Sequence, residues 1–312
     1  MTDRTERLDR QGLIYAFVAY GFWGVFPVFM DELRPAGALE IVAHRALWSL
    51  AFCAILVVAL KRWRRLLAVL RDTRSALTLG LAAMLIAVNW GVFIYAVLSG
   101  RVAESSLGYY INPLITVGLG VVILRERLHR AQTVAIGVGL VAVAVLWVEE
   151  GGVPWIALAL ALSFAAYALL KKRVGVKVDA LTGFTVETLA LLPVAAVLLW
   201  VVSTRGETTW GNAGLGHDAW LASTGVWTAG ALMVFAAASA RLPLYVLGLI
   251  QYVSPTMTFI LAVTYFDEHM STDRWLGFGL VWVALTIITA DTWRRARAGA
   301  ADRFSVVVTE PE

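Results

Sequence analysis

Residues 105–114 read SSLGYYINPL and residues 247–259 read LGLIQYVSPTMTF; each run sets a proline, Pro113 or Pro255, inside a long apolar stretch. The two prolines stand 142 residues apart. The same interval links Glu126 to Glu268 and Gly137 to Gly279, with Gly108 and Gly248 two residues off register. An interval shared by several residue types marks an internal duplication. Proline has no N–H, so Pro113 leaves the carbonyl of Tyr109 without its helical donor, and Pro255 does the same to Gln251. Interrupted apolar segments at matching points of two halves point to a transporter's binding site.

Of the 312 residues, 60% are hydrophobic and 15% charged. Soluble domains average about 45–50% apolar and about 25% charged, so this chain has too much apolar surface to hide in one core. Ten stretches approach the roughly 20 residues a spanning helix needs. They cover about 11–30, 38–60, 76–98, 103–124, 131–148, 153–171, 180–202, 219–240, 244–265 and 274–292. The expected fold is an all-α membrane protein of ten transmembrane helices in two five-helix repeats, residues 11–149 and 153–293. The tails 1–10 and 294–312 are then cytoplasmic. The first apolar segment lacks a small-residue cleavage site and reads as a permanent helix.

Orientation follows from the basic residues. With the N-terminus in the cytoplasm, 21 of the 26 Lys and Arg fall in cytoplasmic segments. Four (Arg34, Arg101, Arg205 and Arg274) fall outside, and Arg45 lies within the membrane. One missed helix would invert every later loop and destroy that split. An odd number of spans per repeat makes the halves inverted copies, which gives a direct route to alternating access. The longest loop, about 203–218, is Gly- and Thr-rich and is expected to be the most mobile. Net charge is +4, but the basic residues follow topology and form no nucleic-acid patch.

Around the prolines stand Tyr109, Tyr110, Asn112, Gln251, Tyr252 and Ser254, a set of rings, amides and hydroxyls suited to an amphipathic organic ligand. A packing kink is the plain alternative. Arg45 and Glu187 are also 142 residues apart, which gives them equivalent sites of opposite charge. Intramembrane charges are costly and are normally paired or functional. A direct or water-bridged interaction between them near the midplane is expected; the alternative has Arg45 reaching toward carbonyls or headgroups and Glu187 protonated. Glu187 is the first candidate for proton coupling and His44 the second. Asn89 and Trp90 lie midway along the third span, where an amide must find partners at a helix interface or at a cavity. Trp23 and Tyr20 on the first span either face the same space or pack together as aromatics. Glu126 and Glu268 are read as structural, each capping the turn into the next helix. Cys53 is expected to be a packed, inert thiol.

Enzyme readings find no motif: there is no Gly-Lys dipeptide for an ATP-binding loop and no zinc or nucleophile-elbow signature. No cofactor, metal or ATPase subunit is implied; the expected partners are a small-molecule substrate and the lipid bilayer. A membrane-embedded lipid or isoprenoid enzyme and a non-transporting receptor or scaffold are the rival classes.

Further strings carry a resemblance: GFWGVFP (21–27), EIVAHRALWSL (40–50), NWGVFIYAV (89–97), RERL (125–128) and VWVAL (281–285). With the two proline runs, they resemble the EamA family of the drug/metabolite transporter superfamily, and within it the RarD-type branch. The resemblance spans about 11–292. It implies ten spans, two EamA repeats, and movement of small metabolites or drugs across the bacterial plasma membrane. The branch name is linked to chloramphenicol sensitivity. This chain has Ala231 where such chains usually carry a proline in the eighth span. It also has Met30-Asp31 where they tend to have a lysine.

Overall fold

The structure, a computed structural model, describes residues 9–124, 130–150, 153–174, 178–239, 241–242, 246–247 and 250–308. Twelve helices are defined among them. The first half holds α1 (Arg10–Asp31), α2 (Ala38–Ala59), α3 (Trp63–Arg71), α4 (Thr73–Leu98), α5 (Val102–Leu124) and α6 (Arg130–Glu150). The second holds α7 (Trp155–Val174), α8 (Ala180–Ala190), α9 (Leu192–Thr204), α10 (Leu215–Ser239), α11 (Val253–Thr264) and α12 (Thr272–Val308).

Several charged and polar residues lie inside an otherwise apolar core, and large apolar residues also cover the outside. Glu40, Arg45, Asn89, Glu104 and Glu187 are buried, while Val58, Leu77, Leu140, Val148 and Trp200 are exposed. Water would penalise that arrangement; hydrocarbon favours it, because exposed side chains lose nothing there and backbone groups are satisfied within helices. Five helices among the described residues are long and apolar enough to cross a membrane, or six if the bent pair α8–α9 counts as one span. Ten is the count read from the sequence. Shorter apolar helices cover Thr133–Val148, Trp155–Lys171 and Val253–Thr264.

The packing is crossed between the two halves. α1 lies on α10 and α11, while α7 lies on α4 and α5. α2 packs on α8, α9 and α10, and α6 packs on α12. α10 approaches α2 closely at Gly225, where a Cβ would sit 2.2 Å from the backbone carbon of Trp48.

The expected pair of equal helix breaks is corrected. Pro113 lies within the continuous helix α5. Pro255 stands in the first turn of α11, after a turn at Gln251–Tyr252. A proline there costs no hydrogen bond, because the first N–H groups of a helix have no internal acceptor. Ser106 of α5 donates to the Pro255 carbonyl at 2.8 Å, tying α5 to the start of α11. A break not foreseen divides the seventh span: α8 and α9 meet at 43° around Leu191. Pro193, in the first turn of α9, offers no N–H to the Leu189 carbonyl, which accepts instead from a backbone N–H at the C-cap of α8.

The loop after α9 is also corrected. It is fastened to α2: Glu40, fully buried, accepts from the N–H groups of Thr209 (2.9 Å) and Trp210 (3.0 Å) and from the Thr209 hydroxyl (2.8 Å). A carboxylate with three such donors holds a loop that composition alone describes as loose.

Candidate functional site

α2 projects Arg45 into the bundle, where the residue is 5% exposed. Its Nε donates to Thr228 Oγ1 on α10 at 2.8 Å. The guanidinium lies 4.1 Å from the Trp90 ring centroid and 4.8 Å from that of Phe26. Aromatic faces attract a cation strongly once water is excluded. Among the described residues Arg45 forms no ion pair.

Beside this cage, Asn89 joins three helices. Its Nδ2 donates to the Leu160 carbonyl and to Ser163 Oγ on α7, both at 3.0 Å, and its Oδ1 accepts from the Tyr109 hydroxyl of α5 at 3.0 Å. The Tyr109 ring packs between Phe93 and Phe164 and interacts electrostatically with Arg45. Arg45, Trp90, Tyr109 and Asn89 therefore form one connected group contributed by α2, α4 and α5. Thr228, Phe26 and Ser163 complete it, and sequence reasoning missed all three: a lone Thr, Phe or Ser in an apolar run carries no signal.

The direct Arg45–Glu187 pair does not form. Glu187, fully buried on α8, meets Lys171 Nζ at 2.5 Å and accepts from the Tyr167 hydroxyl at 3.2 Å. Both partners come from α7. The Lys171 side chain is 30% exposed, so its flexible stem bridges the bundle surface and the buried carboxylate. Arg45 is meanwhile held by α1, α4 and α10.

Other expected residues lie elsewhere. Trp23 packs with Tyr20 and Phe235 in a separate cluster, away from the Arg45 cage. Tyr110 turns the other way from Tyr109, bonds Thr256 at 2.6 Å and packs against Phe278 and Trp282 of α12. Asn112, Pro113, Gln251, Tyr252 and Ser254 are half-buried, and Pro255 is buried. Cys53 is buried and free.

Glu268 has a structural place, but not the expected one. It accepts from the N–H groups of Val102 and Ala103, the latter at 2.9 Å, so it caps α5 of the other half. The unsatisfied N–H groups and positive end of that helix attract the carboxylate. Burial raises the Glu268 carboxyl above its ordinary range, and those two donors oppose the rise. Glu126 falls outside the described residues. Glu104 does for α7 what Glu268 does for α5: it accepts from the Ile156 N–H at 3.1 Å and pairs with Arg101 at 2.6 Å.

An all-helical bundle with a lipid-facing apolar belt and a buried polar centre defines a multi-pass membrane protein. The chain belongs to the EamA-like transporter family, whose profile matches residues 10–148. It is 46% identical over 299 residues to Protein RarD of Streptomyces exfoliatus, covering 96% of this chain and 94% of that one. It is 39% identical over 282 residues to Protein RarD of Salmonella typhi, covering 90% and 95%. A solved crystal structure with 18% identity matches at TM-score 0.57 over 91% of this chain and 98% of its own, a likeness of fold.

Proposed function

We propose that this transporter is a secondary carrier working by alternating access between two inverted five-span halves. Its substrate is a small amphipathic metabolite or drug carrying an anionic or strongly polarised group. The site lies near the midplane, with Arg45 holding that group, Trp90, Phe26 and Tyr109 flanking the apolar body, and Asn89 fixing Tyr109. α11 and the turn before it, at Gln251–Tyr252 and Pro255, move against α5 to change access. The direction is export, coupled to protons through Glu187, whose protonation would release Lys171.

The observation that carries the reading is Arg45 itself. A guanidinium in a membrane interior with one hydroxyl, two rings and no carboxylate is an expensive arrangement, and such residues mark substrate or ion pathways. The crossed contacts of α1 and α7 support the inverted relation of the halves. The test is flux from proteoliposomes into which a metabolite panel has been loaded, with and without a pH gradient. Arg45→Gln abolishes transport on this reading, and Glu187→Gln removes its dependence on the gradient. Undiminished flux in Arg45→Gln would overturn the site, and no flux of any panel member would overturn the carrier.

A further inference from the structure

Residues 61–74 read KRWRRLLAVLRDTR, six cations with one acid. Their centre is α3, a helix between α2 and α4 in which no residue is buried. At 3.6 residues per turn its side chains divide into faces. Leu66 and Val69 share one face and pack against Leu79 of α4, Val174 of α7 and Val186 of α8. Arg62 and Arg65, beside that face, reach the Asp179 carboxylate at 2.9 and 4.0 Å. Trp63, Leu67 and Leu70 make a second face, and all three are exposed. The helices on either side also expose apolar side chains, Ile55 and Val58 on α2 and Leu77 and Leu81 on α4. The second face of α3 thus extends a surface that already meets lipid.

The third face is basic. Arg64 and Arg71 stand two turns apart, so they project the same way about 10 Å from each other along the axis. Ala68 lies between them and is exposed, which leaves an open place flanked by two guanidiniums. Neither arginine pairs with a carboxylate among the described residues. The Arg64 guanidinium lies 5.2 Å from the Trp63 ring centroid, so the basic face adjoins the apolar one.

The two faces together select the occupant. A helix with an apolar side, a basic flank and a tryptophan lies in the plane of the membrane interface, its apolar side among the acyl chains. Guanidiniums at that depth sit level with lipid phosphates, which they bind through paired N–H donors. A soluble anion would satisfy Arg64 and Arg71 but leave Trp63, Leu67 and Leu70 in water. A zwitterionic lipid would cover the apolar side, yet its headgroup ammonium is repelled by the same two cations. An anionic phospholipid meets both demands.

We propose that α3 binds an anionic phospholipid of the adjoining leaflet. Arg64 and Arg71 hold its phosphate over Ala68, and Trp63, Leu67 and Leu70 lie along its acyl chains. The site is separate from the Arg45 cage and does not rest on the transport reading.

The test titrates the full chain in detergent micelles with phosphatidylglycerol or phosphatidylcholine, and counts bound lipids by native mass spectrometry. The first phosphatidylglycerol binds about tenfold more tightly than the first phosphatidylcholine. Arg64→Gln/Arg71→Gln lowers that preference about fivefold or more, roughly the worth of one cation at an anionic surface. Lys61→Gln/Arg74→Gln removes the same charge from exposed positions off the basic face and changes the preference by less than about twofold. Ala68→Glu keeps both arginines but puts a carboxylate between them, and it acts as the arginine double variant does. If the double variant does not fold, Ala68→Glu carries the comparison alone. Equal losses in the two double variants would mean a diffuse field rather than a site, and would overturn the proposal. So would a wild type without preference, or a preference that survives Ala68→Glu. Displacement of phosphatidylglycerol by soluble glycerol 3-phosphate or by hexaglutamate would give the face to a free anion or to an acidic protein instead, and would overturn it too.

Discussion

Arg45 and Glu187 show what one residue can and cannot announce. Their common 142-residue interval and apolar surroundings marked both as interior charges, and both are buried. Their partners were not legible, because an ion pair depends on which side chains neighbouring helices bring within reach. Lys171 reads in the sequence as a cytoplasmic topology marker, yet its ammonium meets Glu187. Removing one member of a buried pair leaves the other uncompensated. Lys171→Met is therefore expected to destabilise the protein by about 3 kcal/mol. The double variant Lys171→Met/Glu187→Gln should recover most of that, as read from denaturant unfolding in detergent. Additive losses would mean the two groups do not interact. Asn89→Leu should cost about 1–2 kcal/mol, since interhelical hydrogen bonds in membranes are worth about that much. It should also broaden the Tyr109 ring resonances as the hydroxyl loses its acceptor. Unchanged unfolding and spectra would remove Asn89 from its bridging role.

At the scale of elements, periodicity finds apolar helices but not their ends or bends. The bend at Leu191 followed from Pro193, which was visible, whereas Pro113 sits in an unbroken helix. The difference lies in context: a proline is tolerated wherever a neighbour or a helix start relieves the lost donor. The short helix α3 went unread because its run of arginines resembles a loop. Gly225 admits α2 at contact distance, so Gly225→Val should force α2 and α10 apart and lower the melting temperature sharply, while Gly230→Ala, with open space at its Cβ, should not. Equal melting of the two variants would refute the contact. α8 begins at Asp179, which caps Thr182 and pairs with Arg62 at 2.9 Å. Burial tends to raise this carboxyl, but the Thr182 hydroxyl and N–H and the Arg62 guanidinium outweigh it and hold it below the ordinary range. A depressed carboxyl contributes stability above its unfolded value, and that contribution is lost as pH falls through the folded value. Asp179→Asn should therefore melt less steeply with acidification than wild type, and parallel curves would rule the contribution out.

For the whole molecule, composition gave the membrane, and the basic-residue bias leads us to expect a cytoplasmic N-terminus. The orientation has a direct check. In a Cys53→Ser background, single cysteines at Gly211 and Gly100 should react with an impermeant thiol reagent added to intact cells, and cysteines at Arg62 and Arg74 should react only after permeabilisation. The reverse pattern would invert the topology. These features were readable because lipid imposes them on every span alike: hydrocarbon selects apolar residues, and the charge rule acts on loops one by one. The sequence by itself determined the class of protein, the duplicated interval, and the burial of Arg45, Asn89 and Glu187. Only the tertiary structure decided that Glu187 meets Lys171, that Glu268 caps the helix of the other half, and that Glu40 fixes a loop whose Trp210 ring stacks on His44. Each of those contacts joins different elements, and only the way the helices pack determines which side chain lies across from which.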